Sequence, residues 1–192
     1  MLLKESSLEL LRGQKNLLAF SAGVDSSALF FLLRDAAIDF DIAIVDYSIR
    51  EQSIQELAYA QELSHIYKLS CFIHTAGEIT SNFEANAREI RYTFFDTLIK
   101  KYSYDNLITA HHLGDRFEWM LMQFCKGAGC VELAGMKEVQ IRDNYTLVRP
   151  LLHIDKAELL EYLSLNQIQY FEDETNLNED IKRNEFRHKH TQ

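Results

Sequence analysis

The chain has 192 residues and 22.4 kDa, 47% hydrophobic and 26% charged, a length for one main domain and a composition that excludes global disorder. Twenty basic against 29 acidic residues give a net charge of −9 and a pI near 5.2, which excludes bulk cationic attraction to nucleic acid or anionic lipid but not a local basic site. The longest apolar run, Ala28–Leu33, is too short for a membrane span, and Met1–Ser6 lacks the pattern of a secretory signal. Cys71, Cys125 and Cys130 cannot all pair within the chain. A cytoplasmic protein with reduced thiols and no membrane partner is expected.

In chain order, Ser7–Arg12 reads as a short helix stopped by Gly13, and Asn16–Phe20 as a compact apolar strand. Ser21–Ser27 is a polar turn, and Ala28–Arg34 resumes as helix. Phe40–Val45 is a second strand. Gln52–Tyr67 is a helix by the spacing of Ile54, Leu57, Ala58, Leu63 and Ile66, and Cys71–His74 is a third strand. A long amphipathic helix runs over Asn82–Tyr102, capped by Ser81 or Asn82. Leu107–Thr109 is a fourth strand and Asp115–Phe124 a helix. Val139–Val148 is a hairpin turning at Asp143–Asn144, a helix starts at Asp155 and reaches about Leu165, and Asp173–Gln192 is a polar tail. Strands alternating with helices predict an α/β protein with a parallel sheet covered on both faces, a three-layer sandwich. Its ligand cleft lies beyond the carboxyl ends of the strands, where each polar motif falls. One domain spans 1–192, with a core of about residues 14–150 and a helical and basic extension over about 151–192.

Ser21-Ala22-Gly23-Val24-Asp25-Ser26-Ser27 joins an apolar strand to an apolar helix. Small residues let a ligand approach the backbone, and amides at a helix start point at anions. No lysine makes it a Walker A loop, and the dinucleotide-binding glycine spacing is missing. Asp25 would repel bare phosphate, so it makes most sense beside Mg²⁺. An ordinary strand-to-helix turn with serine caps explains these residues equally well. Arg88 and Arg91 lie three apart on one helical face and suit phosphate or carboxylate, although Glu84 four residues before Arg88 also fits an ion-paired surface helix. Asp115 and Glu118 share a helix face beside His111 and His112. That cluster could hold Mg²⁺ or orient an attacking amine, or simply be a helix start with favourable acids.

Ser-Ala-Gly-Val-Asp-Ser resembles the Ser-Gly-Gly-x-Asp-Ser signature of the PP-loop ATP pyrophosphatases, with Ala22 in place of a glycine. Further segments resemble the tRNA(Ile)-lysidine synthases: Val45–Ser53, Asn82–Tyr92, Ala110–Glu118, Cys125–Gly129, Leu133–Met136, Arg149–Leu152, Asp173–Asn176, and Arg183-Asn184 with Arg187. Gly114, Arg116 and Trp119 depart from that pattern, and Gly114 removes an acid. A fold of the PP-loop ATPase type, adenine nucleotide alpha hydrolase-like, is implied. So are ATP held by Ser21, Ala22, Gly23, Val24, Asp25, Ser26 and Ser27, and Mg²⁺ on Asp25 and Asp115. Catalytic roles are implied for Asp25, His111, His112, Asp115, Glu118, Arg88 and Arg91. The implied partners are a tRNA(Ile) with a CAU anticodon and free L-lysine, and a homodimer is compatible with this reading. The resemblance also implies that the C-terminal tRNA-binding domains of larger members are absent here. Two alternatives stay open: a PP-loop enzyme with another acceptor, such as a tRNA thiolase or an amide-forming synthetase, and a degenerate ATP-binding module.

Overall fold

The computed structural model describes residues 2–47, 52–77, 79–127 and 135–172. Its elements are α1 (Glu5–Leu11), β1 (Asn16–Ala19), α2 (Val24–Asp35), β2 (Asp41–Asp46), α3 (Gln52–Tyr67), β3 (Cys71–Thr75), α4 (Phe83–Tyr102), β4 (Asn106–Ile108), α5 (Leu113–Cys125), β5 (Val139–Ile141), β6 (Thr146–Val148) and α6 (Lys156–Leu165). The strands form one six-stranded sheet in the order β3-β2-β1-β4-β6-β5, parallel except for β5, which pairs antiparallel with β6. The hairpin expected at residues 139–148 supplies that antiparallel edge.

Alternating side chains on each strand build the two faces of the sheet. Leu17, Ala43, Leu107 and Leu147 pack with Phe95, Leu98 and Ile99 of α4. Their neighbours Leu18, Ile42, Ile44, Ile108 and Val148 face the opposite way, against α1, α2, α3 and α6. This is the expected three-layer α/β sandwich. At roughly 1.5–3 kcal/mol per buried large apolar side chain, the two clusters are the dominant favourable contribution to the fold. Three of the expected helices, α1, α2 and α5, begin earlier than the sequence pattern indicates. α2 starts at Val24, so only residues 21–23 remain a turn, and α5 starts at Leu113 because His112 serves as its N-cap. The Asn82 side chain makes no capping bond at α4; instead the Asn86 amide donates to the Ser81 carbonyl at 2.7 Å.

β1 lies between β2 on one side and β4 on the other. The chain therefore leaves β1 towards one edge and later returns on its other side, and the crevice of such a sheet opens at that reversal. The turn after β1 and the segment after β4 flank it. The amino ends of the same two strands are closed. The Asn16 amide donates to the carbonyls of Leu11 (2.9 Å) and Asp39 (2.8 Å), and Asn106 donates to the Asn16 Oδ1 at 2.9 Å.

Candidate functional site

A cleft of about 940 Å³ opens over the carboxyl ends of β1, β2, β4 and β6. Of the phosphate-turn residues, Ser21 and Gly23 line it. Ala22, Val24, Ser26 and Ser27 are buried, so any contact they make to a ligand runs through the backbone. The turn is built by local bonds. The Ser26 hydroxyl accepts from the Ser21 amide at 3.2 Å, lies 3.1 Å from the Ser21 hydroxyl and donates to the Gly23 carbonyl at 3.2 Å. Ala22 adopts φ +58°, the left-handed region, and its carbonyl accepts from the Phe171 amide at 2.9 Å. A backbone able to use glycine here carries alanine instead, at a strain of roughly 1–2 kcal/mol.

Asp25 and Asp115 converge through His112. The ring Nε2 lies 3.9 Å from one Asp25 oxygen and 3.8 Å from an Asp115 oxygen. Its Nδ1 accepts from the Gly114 amide at 3.0 Å, so a neutral ring carries its proton on Nε2, towards the two carboxylates. Asp115 accepts from the His112 backbone amide at 3.0 Å, closing a capping box. Gly114 is part of this arrangement. A Cβ there would stand 2.7 Å from the His112 Cε1, so the glycine makes room for the ring. Sequence reading registered Gly114 only as a missing acid.

His111 lines the cleft, with Nδ1 3.0 Å from the Thr109 hydroxyl, whereas His112 is buried beneath it. Glu118 and Asp115 also line the cleft and are largely buried. Among the described residues, no three His, Cys, Asp or Glu side chains gather closely enough to hold a metal ion by themselves. The Asp25 and Asp115 carboxylates are nevertheless the donor type that Mg²⁺ takes, since it is commonly held by one or two carboxylates plus substrate phosphates.

Both α4 arginines line the cleft but diverge. Arg88 lies over the Tyr92 ring, 4.8 Å from its centroid, with no salt bridge to Glu84. Arg91 faces Tyr47, whose hydroxyl donates to the Ala87 carbonyl at 3.0 Å. Burial pushes the Tyr47 phenol up, and the Arg91 charge and hydrogen bond oppose this. Sequence reasoning named Asp46, Tyr47 and Arg149 only within resembling segments and did not name Arg142; all four line the same cleft. Nothing local marks Arg142, which the hairpin brings in. Of the resembling segments, Ser48–Glu51, residues 128–134 and the basic tail from Asp173 lie outside the described residues.

The PP-loop domain family model matches residues 2–192. The chain belongs to the PP-loop family. It is 49% identical over 187 residues to the tRNA(Ile)-lysidine synthase of Campylobacter jejuni (strain RM1221), covering 97% of this chain and 58% of that protein. It is 49% identical over 180 residues to the enzyme of the same name from Helicobacter pylori (strain J99), covering 94% and 53%. Identity to the Lactobacillus gasseri synthase is 36% over 185 residues, covering 93% and 43%. The chain thus spans about half the length of these curated relatives. The PP-loop fold extends to solved structures of low identity. The U34-tRNA thiolase NcsA from Methanococcus maripaludis, with its [4Fe-4S] cluster, superposes with TM-score 0.70 at 18% identity, over 87% of this chain and 64% of that one. The NH3-dependent NAD synthetase of C. jejuni superposes with TM-score 0.56 at 14% identity, over 95% and 82%. No helix among the described residues is long and apolar enough to cross a membrane.

Proposed function

We propose that this chain is the ATP-using catalytic part of a tRNA(Ile)-lysidine synthase, an AMP-forming carbon–nitrogen ligase. The supporting observation is the 36–49% identity to synthases of that name across more than nine-tenths of the chain. The cleft is consistent with the chemistry. Cytosine O2 is a poor leaving group. In the first step it attacks the α-phosphorus of ATP, and the bond to the β-phosphate oxygen breaks. In the second, an amine of L-lysine attacks C2, the C2–O bond breaks, the amine proton is released and AMP departs with the base oxygen.

The residues divide this work. The turn at Ser21–Gly23 and the first amides of α2 hold phosphate through backbone N–H groups and the helix-end field. Asp25 and Asp115, fixed by His112, would hold Mg²⁺, which supplies charge neutralisation at the phosphates. His111, on the cleft wall, is placed to orient the base or phosphate, and Glu118 to meet the incoming amine. Arg88 and Arg91 grip anionic parts of the nucleotide or RNA. The wobble cytidine of the CAU anticodon must be unstacked to enter. The thiolase alternative draws less support from the cysteines: burial pushes the Cys71 thiol up to about 11, so it is not a ready thiolate.

The test is the mass of the wobble nucleoside after tRNA(Ile) is incubated with the protein, ATP, Mg²⁺ and L-lysine. The proposal predicts a lysine adduct formed with loss of water. Replacement of oxygen by sulfur when a sulfur donor is supplied, or an unchanged nucleoside, rejects it.

A further inference from the structure

The stretch that follows α6 returns to the phosphate turn. Ile168, Tyr170 and Phe171 pack against the core cluster that α2 and α3 share. Two α3 side chains hold this stretch. The Tyr59 hydroxyl donates to the Gln169 carbonyl at 2.9 Å, and the Gln52 amide donates to the Glu172 carbonyl at 3.0 Å. Tyr59 is buried, with its ring 5.9 Å from that of Phe171. Burial pushes the Tyr59 phenol up to about 12, so it keeps its donor proton at neutral pH. Held in this way, Phe171 pairs in parallel with Gly23, and its amide donates to the Ala22 carbonyl at 2.9 Å. Ala22 is the residue at φ +58°. Alanine pays a penalty in that region, and one hydrogen bond to its carbonyl offsets a cost of the same order. Ser26 fixes the residues on either side, Ser21 and Gly23; Phe171 fixes the one between.

We propose that residues 169–172 are a positioning strap for the nucleotide. The Phe171 amide keeps Ala22 left-handed, and this keeps the Ser21–Gly23 turn and the first amides of α2 aimed at the ATP phosphates. The inference rests on the ATP-using reading and adds a positioning residue to it. Phe171 acts through the backbone of Ala22. A turn held in shape by a segment remote in sequence is ordered before the ligand arrives, which lowers the cost of binding. The strap therefore serves the phosphates and not the adenosine end of the nucleotide.

The experiment compares Phe171→Pro with Phe171→Ala. Both lose the ring, and only the proline variant loses the N–H. Each full chain is titrated with α,β-methylene-ATP plus Mg²⁺ and, separately, with adenosine. The proline variant should bind the triphosphate about tenfold more weakly than the alanine variant, with adenosine affinity matched within about twofold. In an Ala22→Gly background, where positive φ costs little, the triphosphate difference should close to about twofold or less. Equal triphosphate affinity of the two variants overturns the strap. So does a difference that persists in the Ala22→Gly background, or an equal loss of adenosine, either of which marks general support of the fold. Where Phe171→Pro does not melt cooperatively, Tyr59→Phe takes its place, because Tyr59 anchors the strap without lining the cleft. It should weaken the triphosphate about threefold, and only with Ala22 present; unchanged affinity overturns the inference. Wild type that binds neither probe sinks the ATP reading and the strap together, whereas wild-type binding with no difference between variants sinks the strap alone.

Discussion

The two ends of the central strands solve opposite problems with similar residues. At the amino ends of β1 and β4, Asn16 and Asn106 are buried and answered by carbonyls and by each other. Close by, Asp41 accepts from the Ser70 amide at 2.6 Å and from the Tyr104 hydroxyl at 2.5 Å. At the carboxyl ends, carboxylates face one another across a histidine, and three arginines meet with no described carboxylate bridging them. The first arrangement stabilises the fold because its polar atoms are satisfied internally. The second gathers charged groups at the end of the sheet where the cleft opens. Polar residues at the base should therefore matter to stability and those at the top to turnover.

Four substitutions test that division. Asp25→Asn should lower ATP-dependent turnover by about 10²–10³-fold with an unchanged melting temperature, read by pyrophosphate release and thermal denaturation. Asn16→Ala should do the reverse. It takes the acceptor from one Asn106 N–H and a donor from three carbonyls, those of Leu11, Gln14 and Asp39, costing about 2–3 kcal/mol in urea unfolding, with turnover per folded molecule preserved. Gly114→Ala drives a methyl into the His112 ring, which must turn away from Asp25 and Asp115. Turnover should fall about tenfold or more, the cost of misplaced groups, with little loss of stability. The smallest effect belongs to Glu138. Partial burial raises its carboxyl, but the hydrogen bonds from Ser7 and Lys4 and the Lys4 charge outweigh this and hold it below the ordinary value. The folded state then binds fewer protons than the unfolded one just below that value. Its stabilisation is present at neutral pH and is lost as pH falls through the folded pKa. The melting-temperature gap between wild type and Glu138→Gln should shrink below about pH 4.3.

The fold was legible because strand alternation and helix periodicity are local. The faces of β1, β2, β4 and β6 follow from which residues are apolar; α3 has the expected bounds, but Ile54 and Ile66 of the expected apolar face are exposed, and Tyr59, Ala60 and Leu63 are the side chains it buries. The start of α5 was not legible, since a histidine is not an ordinary N-cap and its role depends on a glycine two residues on. The turn at Ser21–Ser27 was read as longer than it is, because small polar residues look alike in a loop and in the first turn of a helix. His111, Asp115, Glu118, Arg88 and Arg91 were visible as motifs, and all five line the cleft. Arg142 and Arg149 were not assigned to it, because their approach comes from a hairpin meeting a helix far away in sequence.

The central claim is that an oxygen of the RNA base is activated as an AMP ester. It is tested most directly by following that oxygen. A tRNA(Ile) carrying ¹⁸O at the C2 position of the wobble cytidine, turned over with ATP, Mg²⁺ and L-lysine, should deliver the label into AMP. Label retained in the RNA, or AMP released without it, would contradict the account.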